Sequence, residues 1–193
     1  MLKDKFRDKK IILASQSPRR QKLLKGLEID FEIRTKDIDE DFPNTLKFSE
    51  VARYLAELKA SAFKEELLEN EVLITADTTV CLKDDILNKP LSHEEAVNML
   101  QRLRNNTHVV VTGVAITDIH KQVVFHDETE VRFGNITDKE IEHYIATYLP
   151  FDKAGSYGAQ DFLGYIAITG MNGSYYNVMG FPLHKIYREL MDF

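Results

Sequence analysis

A chain of 193 residues, 44% hydrophobic and 29% charged, has the composition of one globular domain or of two small lobes on a shared core, and excludes a disordered, fibrous or low-complexity protein. A net charge of −6 disfavours a nucleic-acid polymer as partner, because such binding rests on neutralising many phosphates, but it admits a small anion held by a local cluster of cations, helix N-termini or a divalent metal. The lone Cys81 excludes an intrachain disulfide and a cysteine-based zinc centre, and the first apolar run, Ile11-Ile12-Leu13, is too short for a signal peptide or membrane span, so a cytoplasmic protein with no membrane partner is expected.

Lys10 to Ala14 reads as a buried strand because its residues are continuously apolar rather than alternating. A helix is predicted directly after it, with Ser17 as cap, Pro18 in the first turn, Leu23, Leu24 and Leu27 as apolar stripe and Gly26 as stop. Phe31 to Arg34 alternates like a second strand and leads into the acidic run Asp37-Ile38-Asp39-Glu40-Asp41. From about Ser49 to Leu68, Val51, Leu55, Leu58 and Ala62 fall on one helix face, which predicts the longest helix of the chain.

Val72 to Ala76 reads as a further buried strand ending at Asp77, and Val80-Cys81-Leu82 with Ile86-Leu87 as a hairpin around Lys83-Asp84-Asp85. Ser92 and Glu95 have the spacing of a capping box, in which each side chain satisfies a backbone donor at the other residue, so a helix is predicted to Leu103. Two long strands follow near His108–Thr117 and Gln122–Phe133, then a helix near Asp138–Tyr148 after a Thr137 cap. The last third is punctuated by Gly155, Gly158, Gly164, Gly170, Gly173 and Gly180, which predicts short strands and tight turns before a final helix from about Leu183. Alternating strands and helices giving way to adjacent strands imply a mixed sheet.

Chemistry concentrates first at Ser15 to Arg20. A buried strand ends there, two hydroxyls follow, and a helix opens with Arg19 and Arg20 in its first turn, where cations oppose the helix dipole. One reading is a phosphate site with backbone donors and guanidinium forks; the other is two solvated arginines. Asp77, at the expected strand end, is either a metal ligand or proton acceptor, or an aspartate starting a turn. Lys59 and Lys89 are either phosphate partners or surface lysines. No GxxxxGK[ST], HExxH or GxSxG run is present, and the six histidines are scattered.

Taken together, Leu13 to Arg20, Ala76-Asp77-Thr78, Asn88-Lys89-Pro90, Val111-Thr112-Gly113, Lys153 to Gln160 and Gly173 to Leu183 resemble the blocks of the Maf family of nucleotide pyrophosphatases, in order and spacing, from Ile11 to the last helix. The resemblance implies a single domain over residues 1–193: a mixed, twisted sheet flanked by helices, with two lobes and a central cleft, similar to inosine triphosphate pyrophosphatase. It implies hydrolysis of a nucleoside triphosphate between the α and β phosphates with a divalent metal, Mg²⁺ or Mn²⁺. Asp77 matches the family's proton acceptor. Ser15, Arg19, Arg20, Lys59 and Lys89 match the polar and cationic positions around the phosphates, and Glu32, with Asp77, the metal-associated carboxylates.

Arg19, Thr78 and Gln160 match the positions that separate members acting on pyrimidine nucleotides from those acting on methylated guanine nucleotides, and Arg19 in place of tryptophan points to dTTP and UTP, with modified pyrimidine nucleotides as further candidates. Asp161 departs from the glycine usual after that glutamine. A same-fold enzyme for 7-methyl-GTP is disfavoured by Arg19, and a non-catalytic nucleotide-binding regulator of cell division by Asp77 beside the full cationic set. A homodimer is the assembly the resemblance suggests.

Overall fold

The computed structural model describes every residue, Met1–Phe193. The chain begins with a short helix α1 (Leu2–Lys5), then β1 (Lys10–Leu13), α2 (Pro18–Lys25), β2 (Phe31–Ile33), α3 (Phe48–Ser61) and β3 (Glu71–Leu82). Next come β4 (Asp85–Leu87), α4 (His93–Leu103), β5 (Thr107–Thr117), β6 (Gln122–Phe133) and α5 (Asp138–Tyr148). The last third holds α6 (Phe162–Ala167), β7 (Ile168–Asn172), α7 (Tyr175–Val178) and α8 (Leu183–Asp192).

The seven strands form one sheet in the order β2-β1-β3-β5-β6-β7, with β4 paired to β3. β1 runs parallel to β2 and β3, whereas β3–β4 and β6–β7 are antiparallel, so the sheet is mixed, as the sequence implied. The chain clusters into two compact units, residues 1–77, 112–127 and 180–193 in the first and 78–111 and 128–179 in the second.

In the first unit, the buried face of α3 (Ala56 and Ala60, with Phe63 and Leu67 beyond its end) packs with Ile12, Leu73 and Ala115. The helix was expected to reach Leu68 but ends at Ser61. Lys36 accounts for the stop: its ammonium donates to the Ala62 carbonyl at 2.7 Å and lies 4.9 Å over the Phe63 ring, satisfying a helix-end carbonyl as the chain turns Phe63 into the core. On β5, Gly113 lies so close to α3 that a Cβ there would fall 2.2 Å from the Ala52 carbonyl oxygen.

In the second unit, α4 and α5 enclose a core of Leu100, Leu103, Val110, Phe133, Ile141 and Tyr144. Their predicted N-caps are present: the Ser92 hydroxyl accepts from Glu95 N at 3.1 Å, and the Thr137 hydroxyl from Glu140 N at 3.3 Å while Thr137 N donates back to the Glu140 carboxylate. The glycine-rich third departs from expectation, because α6 and α7 occupy stretches read as strands and turns. Gly164 lies inside α6, where a Cβ would meet the Ala159 carbonyl oxygen at 2.4 Å, so this glycine serves a close approach and not a turn.

His108 on β5 is almost fully buried, its Nε2 2.7 Å from the Tyr157 hydroxyl and its ring edge-on to Phe133. Burial pushes its pKa down to about 4. Because the folded value lies below the ordinary value near 6.5, the unfolded chain takes up the proton first, and stability present above about pH 6.5 drains away as pH falls toward 4. His108→Phe is expected to remove up to ~1.4 kcal/mol per pH unit of that slope in denaturant titrations between about pH 6 and 4.5. Parallel slopes for variant and wild type would contradict the assignment.

Candidate functional site

The loop after β1 is built from its own hydroxyl and amide groups. Ser15 is buried, its hydroxyl accepts from Ser17 N at 3.2 Å, and its carbonyl accepts from the Gln21 side-chain amide at 3.2 Å. Ser17 occupies the N-cap of α2, but its side chain makes no cap bond. Arg20 is held by two main-chain carbonyls, Nε to Gly180 and Nη1 to Ala76, each at 2.8 Å. Its cationic form is disfavoured by burial and by Arg19, and favoured by Asp77 and Glu40. Arg20, a candidate phosphate fork, is thus also the tie between α2 and β3.

Asp77 does not end its strand. The β-branched run Thr78-Thr79-Val80 carries β3 on to Leu82, so the carboxylate projects from mid-strand, buried, with the Lys59 ammonium 2.5 Å from its Oδ1. Lys59, on α3, also lies 2.8 Å from Glu40 Oε1. One ammonium therefore bridges two carboxylates, and Arg20 feels both.

Glu32, which the resemblance associates with the metal, lies between two cations in the structure. It pairs with Lys10 and, at 3.3 Å, with Arg34, which in turn grips the buried Glu71 at 2.7 and 3.0 Å. Lys10, first and foremost, holds the Glu32 carboxyl below its usual range, and Arg34 does the same for Glu71. Glu32 lies level with Leu73 through Ile12, so Asp77 is four residues further along the sheet, about 13 Å at strand rise. The carboxylate brought to Asp77 through a shared ammonium is Glu40, from the acidic run that sequence reasoning noted without assigning.

The remaining candidates belong to the second unit. Thr78 is half-buried and Lys89 is exposed. Asn88 beside it accepts from Gly155 N at 3.2 Å, tying the Asn88-Lys89-Pro90 stretch to the Lys153–Gln160 segment. Gln160 is half-buried, and its carbonyl accepts from the Tyr165 hydroxyl. No three residues of the His, Cys, Asp and Glu types gather as a ready-made metal cage, and no helix is long and apolar enough to cross a membrane.

The profile of the Maf-like protein family matches residues 10–193. A Flavobacterium psychrophilum protein named dTTP/UTP pyrophosphatase is 50% identical over 192 residues, covering 100% of this chain and 98% of the relative. Proteins of the same name from Parabacteroides distasonis and Porphyromonas gingivalis are 48% and 47% identical, covering 95% and 98% of this chain and 96% and 97% of theirs. Among solved structures, a nucleoside-triphosphatase/dITP/XTP pyrophosphatase from Mycobacterium abscessus is 16% identical with a TM-score of 0.45, covering 95% of each chain, a likeness too low to bear on chemistry. Near-half identity over full length, with a family profile reaching the last residue, settles membership: this chain belongs to the Maf-like protein family.

Proposed function

We propose that this protein hydrolyses dTTP and UTP to the monophosphate and pyrophosphate in the cytoplasm. The observation that carries the reading is the Lys59 ammonium held between Asp77 and Glu40, with the Arg20 guanidinium beside them. The names of the relatives supply the substrate pair. Asp77, one oxygen of which already engages a cation, takes the proton from the attacking water. Lys59, Arg19, Arg20 and Ser15 neutralise and orient the phosphates, Lys89 adds charge, and Thr78 and Gln160 contact the nucleoside.

A divalent ion, Mg²⁺ or Mn²⁺, fits this donor set. Two carboxylates converging on one cation, with no third His, Cys, Asp or Glu gathered there, match an ion that completes its shell with water and substrate phosphate oxygens. Asp77 and Glu40 would hold it, and it supplies stabilisation of the charge that grows on the phosphates.

The test is a nucleotide panel with Mg²⁺ or Mn²⁺ and product analysis. Pyrophosphate with UMP or dTMP is expected, from UTP and dTTP ahead of purine nucleotides. Orthophosphate without pyrophosphate would exclude α–β cleavage, preference for 7-methyl-GTP would move the substrate class, and binding without turnover would leave a regulator.

A further inference from the structure

Asp161 occupies the N-cap position of α6 with extended backbone (φ −100°, ψ 173°), yet its carboxylate makes no cap bond to that helix. Aspartate is among the best capping residues, so its orientation elsewhere needs a cause. The side chain instead accepts a hydrogen bond from the Tyr144 hydroxyl at 3.0 Å. Tyr144 is fully buried, and the same hydroxyl oxygen accepts from Gly158 N at 3.1 Å. The directions are thereby fixed: Gly158 N fills a lone pair, and the single hydroxyl proton goes to Asp161.

These bonds bracket Gln160 on both sides. Asp161 N donates to the Gly158 carbonyl at 3.2 Å, Tyr165 N to the Asp161 carbonyl at 3.1 Å, and the Tyr165 hydroxyl to the Gln160 carbonyl. A Cβ on Gly158 would lie 2.5 Å from Asp161 Oδ2, so the close turn leaves room for this carboxylate and for no side chain at 158. Lys153, 3.8 Å from the same oxygen, adds favourable charge. Tyr144 is braced in turn by stacking on Tyr148, ring centroids 5.1 Å apart.

We infer that Asp161 and Tyr144 are positioning residues that lock the main chain around Gln160, and so set how tightly the enzyme holds the nucleoside end of its substrate. The inference rests on the reading that Gln160 contacts the base. The Asp161 carboxylate supplies the acceptor for a buried hydroxyl that itself accepts from Gly158 N.

The experiment compares Asp161→Ala, Asp161→Asn and Tyr144→Phe in the full chain, by steady-state kinetics with UTP and Mg²⁺ and by amide hydrogen exchange without nucleotide. Asp161→Ala and Tyr144→Phe are expected to raise KM about tenfold while kcat stays within about threefold, because pre-arranged contact is lost and the reacting groups are untouched. Asp161→Asn keeps an acceptor for the tyrosine and is expected to restore KM to within about twofold of wild type. Exchange at Gly158 should quicken in the first and third variants and not in the second. Unchanged exchange in Asp161→Ala overturns the clamp. Faster exchange with unchanged KM, or equal loss in the alanine and asparagine variants, overturns its role toward substrate. Failure of wild type to turn over UTP or dTTP would count against the substrate reading instead, and the exchange measurements would then decide the clamp alone.

Discussion

Asp77→Asn is expected to lower kcat by about a hundredfold or more while leaving KM within about threefold. The substitution preserves shape and one acceptor oxygen, but an amide cannot take a proton from water and does not carry the charge that the Lys59 ammonium faces at 2.5 Å. Lys59 retains Glu40, at 2.8 Å, so the buried cation is not stranded and the fold should survive. That distinguishes the change from Lys59→Met, which leaves the two carboxylates without their shared cation. Rapid-quench and steady-state assays with UTP give kcat and KM separately; wild-type turnover in the asparagine variant would remove Asp77 from proton transfer. The same assay, titrated with Mg²⁺, separates the two glutamates. Glu40→Gln should raise the concentration for half-maximal activity by far more than Glu32→Gln, because Glu40 shares the Lys59 ammonium with Asp77 whereas Glu32 is bound to Lys10 and Arg34.

The contrast between Glu32 and Glu40 shows where sequence reasoning ends. Local signals were legible: the continuous apolar run of β1, the Ser92 and Thr137 caps and the apolar face of α3 each depend on neighbours a few residues apart, and each is found. The fate of a loop carboxylate depends on where a separate helix sets down its lysine, and nothing in Asp37 to Asp41 encodes which of its four acids meets Lys59. The end of β3 failed for another reason. The sequence reading ends the strand at Asp77, yet Thr78 and Thr79 are β-branched, and with Val80 behind them the ladder continues to Leu82 and pairs with β4 through Val80 and Leu87. The short helices α6 and α7 span too few residues for a 3.6-residue period to show. Arg20 was recognised as a residue of the phosphate loop, but its bonds to the carbonyls of Ala76 and Gly180 join segments 56 and 160 residues away, a tie that no local pattern displays.

Gly113→Ala is expected to be the most damaging single methyl in the first unit. Its Cβ would lie 2.2 Å from the Ala52 oxygen, 2.3 Å from the Ala52 carbonyl carbon and 2.6 Å from Arg53 N, all main-chain atoms of α3. No rotamer relieves such a clash, so the helix must move off β5 and open the packing of Ala56 and Ala60 on Ile12 and Leu73. The cost should be about 3 kcal/mol, or roughly 6–12 °C in Tm for a chain of this size. Activity should fall as well, because Lys59 lies seven residues along the displaced helix from Ala52 and must still reach Asp77; a drop in kcat/KM of about tenfold is expected where the variant is fully folded. Gly26→Ala is the control. Its Cβ would meet the Leu23 carbonyl oxygen at 3.1 Å and the Lys22 carbonyl oxygen at 4.0 Å, and its backbone is already right-handed (φ −65°), so a change within about 1 kcal/mol is expected. Equal melting temperatures for the two variants would show that α3 yields freely, and the placement of Lys59 would then need a cause other than its close seat on β5.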